Sequence, residues 1–277
     1  MQLYALDSLH QLISAPHAFK QSNYRCCECG GIVRVRCGLH RQPHFFHLKR
    51  SSSCRLSGKG MAHLQVQNRL FDLLPTGDCL LEKRFPQINR IADAVWESKK
   101  IIFEVQCSPI TSEEVSQRIQ DYQSIGYQVV WILHDREFNQ HRLRSAELYL
   151  RSSPYFFTDI DSAGQGKIYD QFDLFAKGLR LKKMAPLPID LTQPLPVPTS
   201  INTTIPSMLQ ERLTTWPIHF QGDLIDLCHF PSKYLEDACQ AEKKSLPSSL
   251  KFTDWLIKLL FRPYKLLFQL LLERACR

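Results

Sequence analysis

Residues 91–108 read Ile-Ala-Asp-Ala-Val-Trp-Glu-Ser-Lys-Lys-Ile-Ile-Phe-Glu-Val-Gln-Cys-Ser, and they predict two β-strands joined by a tight turn. Successive side chains of a strand point to opposite faces of its sheet. Asp93 in the first strand, and Glu104 and Gln106 in the second, therefore fall on one face of the hairpin. The stretch predicts a polar cluster of these three residues inside an otherwise apolar pair of strands.

Carboxylates among β-branched and aromatic residues are costly to bury without a positive partner. A divalent metal ion between Asp93 and Glu104 would supply that charge. Oxygen ligands favour Mg²⁺ or Mn²⁺, either of which can polarise a phosphodiester and activate water. The alternative is an ordinary hairpin with ion pairs, in which Asp93 pairs with Arg90 or Lys83, and Glu104 with Lys99 or Lys100.

The residues after the hairpin continue an α/β pattern. Thr111 begins a capping box, and Val115, Ile119 and Tyr122 fall on one face of the helix that follows. Residues 128–133 are apolar and predict a further strand. Together with the pattern Asp93-x10-Glu104-x-Gln106, the order strand–strand–helix–strand resembles the mixed sheet core of restriction-endonuclease-like nucleases.

Composition limits the class of protein. The chain has 277 residues, 44% of them hydrophobic, and its formal net charge is +8 with ten cysteines. The charge favours a polyanionic partner, and nucleic acid is a better expectation than a membrane surface. Because residues 1–7 have no basic or long apolar segment typical of export, a cytoplasmic location is predicted. In that reducing compartment, the cysteines are predicted to be metal ligands or thiols rather than members of disulfides.

Two residue pairs near the N-terminus have the spacing of a zinc site. Cys26-x2-Cys29 precedes His44-x2-His47, with a short predicted strand between the pairs. Four such ligands would close a structural, tetrahedral Zn²⁺ site in a zinc-ribbon-like β module. Other residues compete as ligands, and His-Phe-Phe-His also fits a half-buried strand without metal. The competing ligands are Cys27, Cys37, His40 and Cys54.

Two segments before the hairpin add candidate site residues. Residues 61–74 predict a helix that carries His63 and Gln67 one turn apart, either facing the carboxylates or serving ordinary helix roles. A predicted strand beginning at Cys79 carries Glu82, a further candidate acid.

The motifs in this order resemble those of the competence protein CoiA family over roughly residues 2–135. They are Cys26-x2-Cys29, Pro43-His-Phe-Phe-His47, His63, Leu81-Glu82, Arg90-x2-Asp93, Phe103-Glu-Val-Gln-Cys-Ser108, Arg118-x3-Tyr122 and Val130-Trp-Ile-Leu133. The resemblance implies a cytosolic bacterial factor that promotes recombination of incoming single-stranded DNA in natural transformation. It also implies a nuclease domain of the restriction-endonuclease-like, PD-(D/E)xK type.

The resemblance assigns roles to individual residues. Asp93 and Glu104 match the metal-binding acids, and Gln106 stands at the third catalytic position, where a lysine is usual. His63 and Glu82 are added as catalytic candidates. Arg90, Arg118 and Tyr122 are the expected substrate contacts, the last two on a helix motif that contacts substrate or braces the site. The chain departs from the family at Gln67, where a lysine is expected.

Three functions remain open at this point. The first is an Mg²⁺- or Mn²⁺-dependent deoxyribonuclease in which Gln106 orients water but cannot act as a base. The second is an inactive DNA-binding recombination mediator, with Phe45, Phe46 and Tyr122 available for base stacking. The third is an adaptor that recruits a recombinase partner. Metal-dependent strand cleavage separates the first from the others.

The predicted organisation has four parts: a zinc-ribbon-like β module (1–57), a nuclease core (58–180), a proline-rich linker or extended strap (181–206) and a helical C-terminal region (207–277). Residues 252–275 are apolar, but charged residues interrupt them. Their longest uncharged run is far shorter than the roughly 20 residues that a membrane span needs. Two amphipathic helices and no transmembrane span are predicted there.

Overall fold

The computed structural model of the protein describes residues 1–245 except 39–40, 50–53, 200, 202–203 and 230–231. The two helices predicted in 252–275 therefore lie outside the described residues. None of the described helices is both long and apolar enough to cross a bilayer.

The described residues form sixteen β-strands and five α-helices. The strands are β1 (Tyr4–Leu6), β2 (Leu12–Ser14), β3 (Tyr24–Arg25), β4 (Ile32–Gly38), β5 (Arg41–His47), β6 (Cys79–Phe85), β7 (Arg90–Trp96), β8 (Ile101–Gln106), β9 (Gln128–His134), β10 (Tyr155–Thr158), β11 (Ile168–Asp170), β12 (Asp173–Ala176), β13 (Leu179–Lys183), β14 (Leu187–Pro188), β15 (Asp190–Pro196) and β16 (Ile218–Gln221). The helices are α1 (Met61–Leu73), α2 (Ser112–Ser124), α3 (Ser145–Leu150), α4 (Ser207–Thr215) and α5 (Lys233–Ser245).

A seven-stranded mixed sheet forms the centre, in the order β14-β11-β10-β9-β8-β7-β6. Strands β8, β9 and β10 run parallel, and the other neighbours are antiparallel. This confirms the predicted α/β class and its mixed sheet. The segment β7–β8–α2–β9 has the predicted order strand–strand–helix–strand.

The sequence pattern of the central hairpin explains its burial. Strand β7 pairs antiparallel with β8 through Ala94 and Phe103, and both residues are fully buried. Helix α2 begins after Thr111, whose side chain accepts a hydrogen bond of 3.2 Å from the backbone N–H of Glu114. Helix α1 packs against β6, β7 and β8. Polar residues of these strands are thus enclosed between helices and sheet.

The N-terminal residues form a separate antiparallel sheet in the order β2-β1-β3-β4-β5. One face of that sheet packs into an apolar cluster of its own, which includes Val33 and Phe45. The backbone N–H groups of Leu3 and Tyr4 donate to the side chain of Glu82 on β6, at 2.9 and 3.3 Å. The two sheets therefore meet beside the centre of β6.

The proline-rich residues form an extended strap rather than a helix. Strand β14 lies at the edge of the central sheet, and β15 pairs with β16. Helix α4 then packs onto the sheet through Arg212, whose Nη1 atom lies 2.6 Å from Oδ2 of Asp170. The side chains of this pair are 1% and 0% exposed, so the C-terminal part is anchored by a buried ion pair.

Candidate metal and nucleic-acid site

Three carboxylates lie in a row across β6, β7 and β8. In the pairing of β6 with β7, Leu81 lies opposite Ala94 and Lys83 opposite Ala92, so Glu82 falls at the position of Asp93. In the pairing of β7 with β8, the residue after Asp93 lies opposite the residue before Glu104, which makes these two acids neighbours as well. Glu82, Asp93 and Glu104 are 9%, 5% and 1% exposed. This carboxylate row places three negative charges where water cannot screen them.

Lys59 lies between the first two members of the carboxylate row. Its Nζ atom is 3.0 Å from Oε1 of Glu82 and 2.8 Å from Oδ1 of Asp93. Burial acts to lower the pKa of this lysine, but the two carboxylates outweigh burial and hold it above its ordinary value. Burial likewise acts to raise the pKa of Asp93, and the neighbouring His63 and Lys59 hold it well below its ordinary value.

No motif or periodic pattern in the sequence singles out Lys59 as a site residue. The available signal was its position between Gly58 and Gly60, with Gly60 acting as the N-cap residue of α1. A lysine just before a helix that packs on the acidic strands is held near them by the fold.

Helix α1 adds two further contacts to Asp93. The Nε2 atom of His63 lies 2.9 Å from Oδ1, and Nε2 of Gln67 donates to the same oxygen at 3.1 Å and to the backbone carbonyl of Asp93 at 3.0 Å. The sequence allowed two interpretations of His63 and Gln67. The structure shows the one in which both side chains face the carboxylates. The other oxygen of Asp93 accepts a 2.9 Å hydrogen bond from the backbone N–H of Val105.

Helix α2 holds the third acid. Arg118 donates from Nη1 to Oε2 of Glu104, and the Tyr122 hydroxyl donates to Oε1, both at 2.8 Å. Burial raises the pKa of Glu104, and the charge of Asp93 raises it further, whereas Arg118 opposes them. Tyr122 is fully buried, so it braces Glu104. Arg118 keeps part of its side chain in the cleft beside the row.

The carboxylate oxygens of Asp93 and Glu104 form a set of ligands that fits a hard divalent cation. Among the described residues, no side-chain cation bridges this pair in the way that Lys59 bridges Glu82 and Asp93. A carboxylate oxygen can accept about two hydrogen bonds. Oδ2 of Asp93 and both oxygens of Glu104 each accept one from the described residues. The remaining lone pairs are oxygen ligands of the kind that Mg²⁺ and Mn²⁺ bind.

Both carboxylate oxygens of Glu82 have partners of their own. Its Oε1 atom binds Lys59, and Oε2 accepts the backbone N–H groups of Leu3 and Tyr4. Its backbone is left-handed, with φ of 51°, which is unusual for a residue with a long side chain. These contacts make Glu82 a partner that positions Lys59.

A cleft of about 520 Å³ opens at Asp93, the middle member of the carboxylate row. Its walls contain Asp93 and Gln106 together with several cationic side chains, which are Lys59, Arg90, Arg118 and Arg136. Gln106 uses its amide to donate to the carbonyl and hydroxyl of Ser108, at 2.7 and 3.2 Å. The cleft therefore presents the Asp93 carboxylate beside several positive charges.

The alternative of an ordinary ion-paired hairpin does not match the described contacts. Lys83 pairs with Glu97. Arg90 lies 2.8 Å from Glu114 and 2.7 Å from Asp121, on α2. Arg90 therefore holds α2 against β7, and it lines the cleft without contacting Asp93.

A second cluster lies in the N-terminal sheet. The ligand atoms of Cys26, Cys29, His47 and Cys54 all lie within 4.8 Å of one another. The Sγ atoms of Cys26 and Cys54 are 3.6 Å apart, and Sγ of Cys29 is 3.3 Å from Nε2 of His47. Three thiols and one imidazole form a donor set that could bind a metal such as Zn²⁺.

The structure brings three of the four predicted zinc ligands together, with Cys54 in the place expected for His44. His44 is buried, and its Nδ1 atom lies 2.8 Å from the backbone carbonyl of Gln42. His44 and His47 both lie in β5, three residues apart. Because side chains alternate along a strand, two residues three apart point to opposite faces and cannot share one metal ion.

Comparison with known proteins links this site to one family. Residues 59–170 match the family model described as "Competence protein CoiA, nuclease-like domain". The protein named Competence protein CoiA from Bacillus subtilis (strain 168) is 28% identical over 120 residues. That alignment spans 41% of this chain and 32% of the relative, so it covers about a third of the relative's length. No solved structure matches the chain.

Proposed function

From the CoiA-like, nuclease-like domain in residues 59–170, we propose that this protein is a metal-dependent DNA nuclease with a restriction-endonuclease-like core. The observation that carries the proposal is the carboxylate row Glu82–Asp93–Glu104. A fixed lysine bridges its first gap, and among the described residues no side-chain cation bridges its second. Asp93 and Glu104 are the proposed ligands of Mg²⁺ or Mn²⁺.

Such an ion, when bound, supplies a Lewis acid for the scissile phosphate and lowers the pKa of a bound water. The protein's own residues do the remaining work. Arg118 lies at the cleft and offers donors to phosphate oxygens, while Glu114 fixes its Nε atom at 2.8 Å. Tyr122 and Val105 hold the two acids in position through the hydrogen bonds described above.

Gln106 stands where the related nucleases usually have a lysine, and an amide supplies no charge. In this proposal, Lys59 supplies the positive charge that Gln106 lacks. An ammonium has three donors, and Lys59 uses two of them on Asp93 and Glu82. Its pKa is raised, so it stays protonated and cannot act as a base. We assign Lys59 to stabilising negative charge that develops on the phosphate, and Gln106 to orienting water.

The biological setting is also a proposal. The relative's name concerns competence. For this chain we propose a cytoplasmic role in natural transformation or homologous recombination, with single-stranded DNA as substrate and a recombinase as partner. The net charge of +8 supports a polyanionic substrate.

The test is incubation of purified protein with end-labelled single- and double-stranded DNA, in Mg²⁺, in Mn²⁺ and in neither. Asp93→Ala and Glu104→Ala are run beside the wild type, and Asp72→Ala, an acid on the exposed side of α1, is the matched control. Metal-dependent cutting that the first two changes abolish and the control retains is the expected result. A wild type that binds DNA and never cuts contradicts the proposal.

A second candidate function has one observation in its favour. Asp93 already has Lys59, His63 and Gln67 as partners, and Glu104 has Arg118. A site whose acids already have cationic partners suits a DNA-binding mediator that has no catalytic metal. The same experiment distinguishes the two functions. If the protein is a mediator, the wild type and all three variants should bind DNA and leave it intact.

A further inference from the structure

The positive charge of the chain is concentrated in its first 60 residues. They contain nine lysines and arginines but only two acidic residues, Asp7 and Glu28. They therefore contribute seven of the eight net positive charges of the whole chain. The remaining residues, which include the nuclease-like domain, are almost neutral overall. Residues 1–47, which contain the N-terminal sheet, carry five of these lysines and arginines and both acids, a net charge of +3.

The N-terminal sheet displays arginines on the face opposite its apolar cluster. Arg34 and Arg36 alternate along β4 with the buried Val33 and Val35. In the pairing of β4 with β5, Arg34 lies opposite Phe46, so their side chains share this face. Arg25 on β3 joins them, because it lies opposite Ile32 at the start of β4. Arg25, Arg34, Arg36 and Phe46 are together called the arginine face.

The arginines of this face differ from those of the core. Arg90, Arg118, Arg180 and Arg212 are each in ion pairs with carboxylates. Within the described ranges, no ion pair involves Arg25, Arg34 or Arg36. Arg25 and Arg36 are exposed, and Arg34 donates to the side chain of Asn23 at 2.8 Å. Their charges are available to an anionic partner.

The face also offers one aromatic ring. The guanidinium carbon of Arg36 lies 4.3 Å from the centre of the Phe46 ring, which is half-buried. The other aromatic residues considered for base stacking, Phe45 and Tyr122, are fully buried. Exposed apolar side chains flank Phe46, with Ile32 48% and Leu48 44% exposed. An exposed arginine stacked on a half-buried ring offers bases a guanidinium plane to stack on, beside cations that bind the backbone of a single strand.

We propose that the arginine face binds single-stranded DNA. The proposal rests on the proposed function for its substrate, but it assigns a binding site that is separate from the carboxylate row. Charge complementarity favours DNA as the ligand of this face, because this part of the chain is strongly basic and each nucleotide carries one phosphate. Phe46 favours a single strand over a duplex because unpaired bases expose their faces.

The test measures binding of fluorescein-labelled oligothymidine by fluorescence anisotropy, without added divalent metal. An oligomer of about 20 nucleotides exceeds the ~4–16 that one small binding domain covers. The variant Arg34→Gln/Arg36→Gln is compared with Arg142→Gln/Lys182→Gln, which removes equal charge from exposed residues elsewhere. Thermal unfolding verifies that both variants are folded.

Loss of two phosphate contacts is expected to weaken binding about tenfold near physiological salt. The slope of log affinity against log salt should also fall by roughly 0.7 for each arginine. The control should keep the wild-type slope. Equal behaviour of the two double variants, whether both bind normally or both bind weakly, would overturn the assignment to this face.

Phe46→Leu tests the stacking part separately. We expect about a fivefold weaker affinity for oligothymidine with an unchanged salt slope, and little effect on duplex DNA. Equal losses for both forms of DNA would reject the single-strand assignment. Because binding is measured without metal, these results do not depend on whether the protein cuts. Failure of the proposed nuclease would appear only in the cleavage assay.

Discussion

The Nζ atom of Lys59 lies 2.8 Å from Oδ1 of Asp93, and only 10% of the lysine side chain is exposed. The N-terminal ammonium of Met1 binds the backbone carbonyl of the same lysine at 3.1 Å. Glu82, the other partner of Lys59, accepts backbone N–H groups of the N-terminal sheet. The lysine therefore connects that sheet to the carboxylate row, and its position depends on both.

Lys59→Met should destabilise the protein strongly. The change leaves Glu82 and Asp93 buried without their shared cation, and breaking a buried ion pair costs about 3–5 kcal/mol. Urea unfolding followed by circular dichroism measures the loss. Lys59→Met/Glu82→Gln removes one charge of each sign and should recover a large part of it. A single variant as stable as the wild type would contradict the assigned pairing.

The same double variant tests the catalytic role of Lys59. If the lysine stabilises charge on the phosphate, Lys59→Met/Glu82→Gln should fold yet cut DNA about 10²–10³-fold more slowly. Glu82→Gln alone retains the lysine and serves as the control. A folded double variant that cuts at the rate of this control would show that Lys59 only neutralises Glu82.

The two acids facing the proposed metal should affect stability with opposite pH dependence. Burial raises the pKa of Glu104 above 4.5, so its stabilising contribution is complete below that pH and is lost as the pH rises through the folded-state pKa. The pKa of Asp93 lies below 3.8, so its contribution is present above that pH and is lost on acidification.

Relative to the wild type without added metal, Glu104→Gln should therefore gain stability as the pH rises. Asp93→Asn should gain as the pH falls. Urea unfolding of the three proteins between about pH 3 and 8 measures both trends. Differences that do not vary with pH, or that vary in the same direction, would contradict the pKa shifts.

Metal analysis can identify the ligands of the N-terminal cluster. Cys54→Ser should lose Zn²⁺ and much of the folding stability of the N-terminal sheet, because structural zinc binding contributes folding free energy directly. His44→Asn should retain the metal, since His44 lies outside the cluster. Cys37→Ser is the control thiol. Retention of zinc by Cys54→Ser together with its loss in His44→Asn would favour the ligand set predicted from spacing.

The pair of Asp170 and Arg212 should control the attachment of α4. Asp170→Asn leaves a fully buried guanidinium without its charged partner, which costs about 3–5 kcal/mol. The double change Asp170→Leu/Arg212→Met replaces both charges and should be far less harmful. Limited proteolysis detects release of the C-terminal part. Equal protease resistance of Asp170→Asn and the wild type would contradict this role.

The hairpin and its acids could be predicted because the signal is local. Alternation of side chains along β7 and β8 is a property of any strand, so the common face of Asp93 and Glu104 follows from the sequence alone. The capped helix α2 follows equally well from Thr111 and its periodic apolar residues. Spacing also identified Cys26, Cys29 and His47, three members of the metal cluster.

The contacts of Lys59, the inclusion of Cys54 and the burial of Phe45 were decided only by the tertiary structure. Lys59 and Cys54 lie outside strands and α-helices, in a segment without a repeating pattern, so nothing local indicates where their side chains point. Their positions depend on how the N-terminal sheet meets β6 and α1. Sequence periodicity determines which residues share a face, whereas only packing between separate elements determines which faces meet.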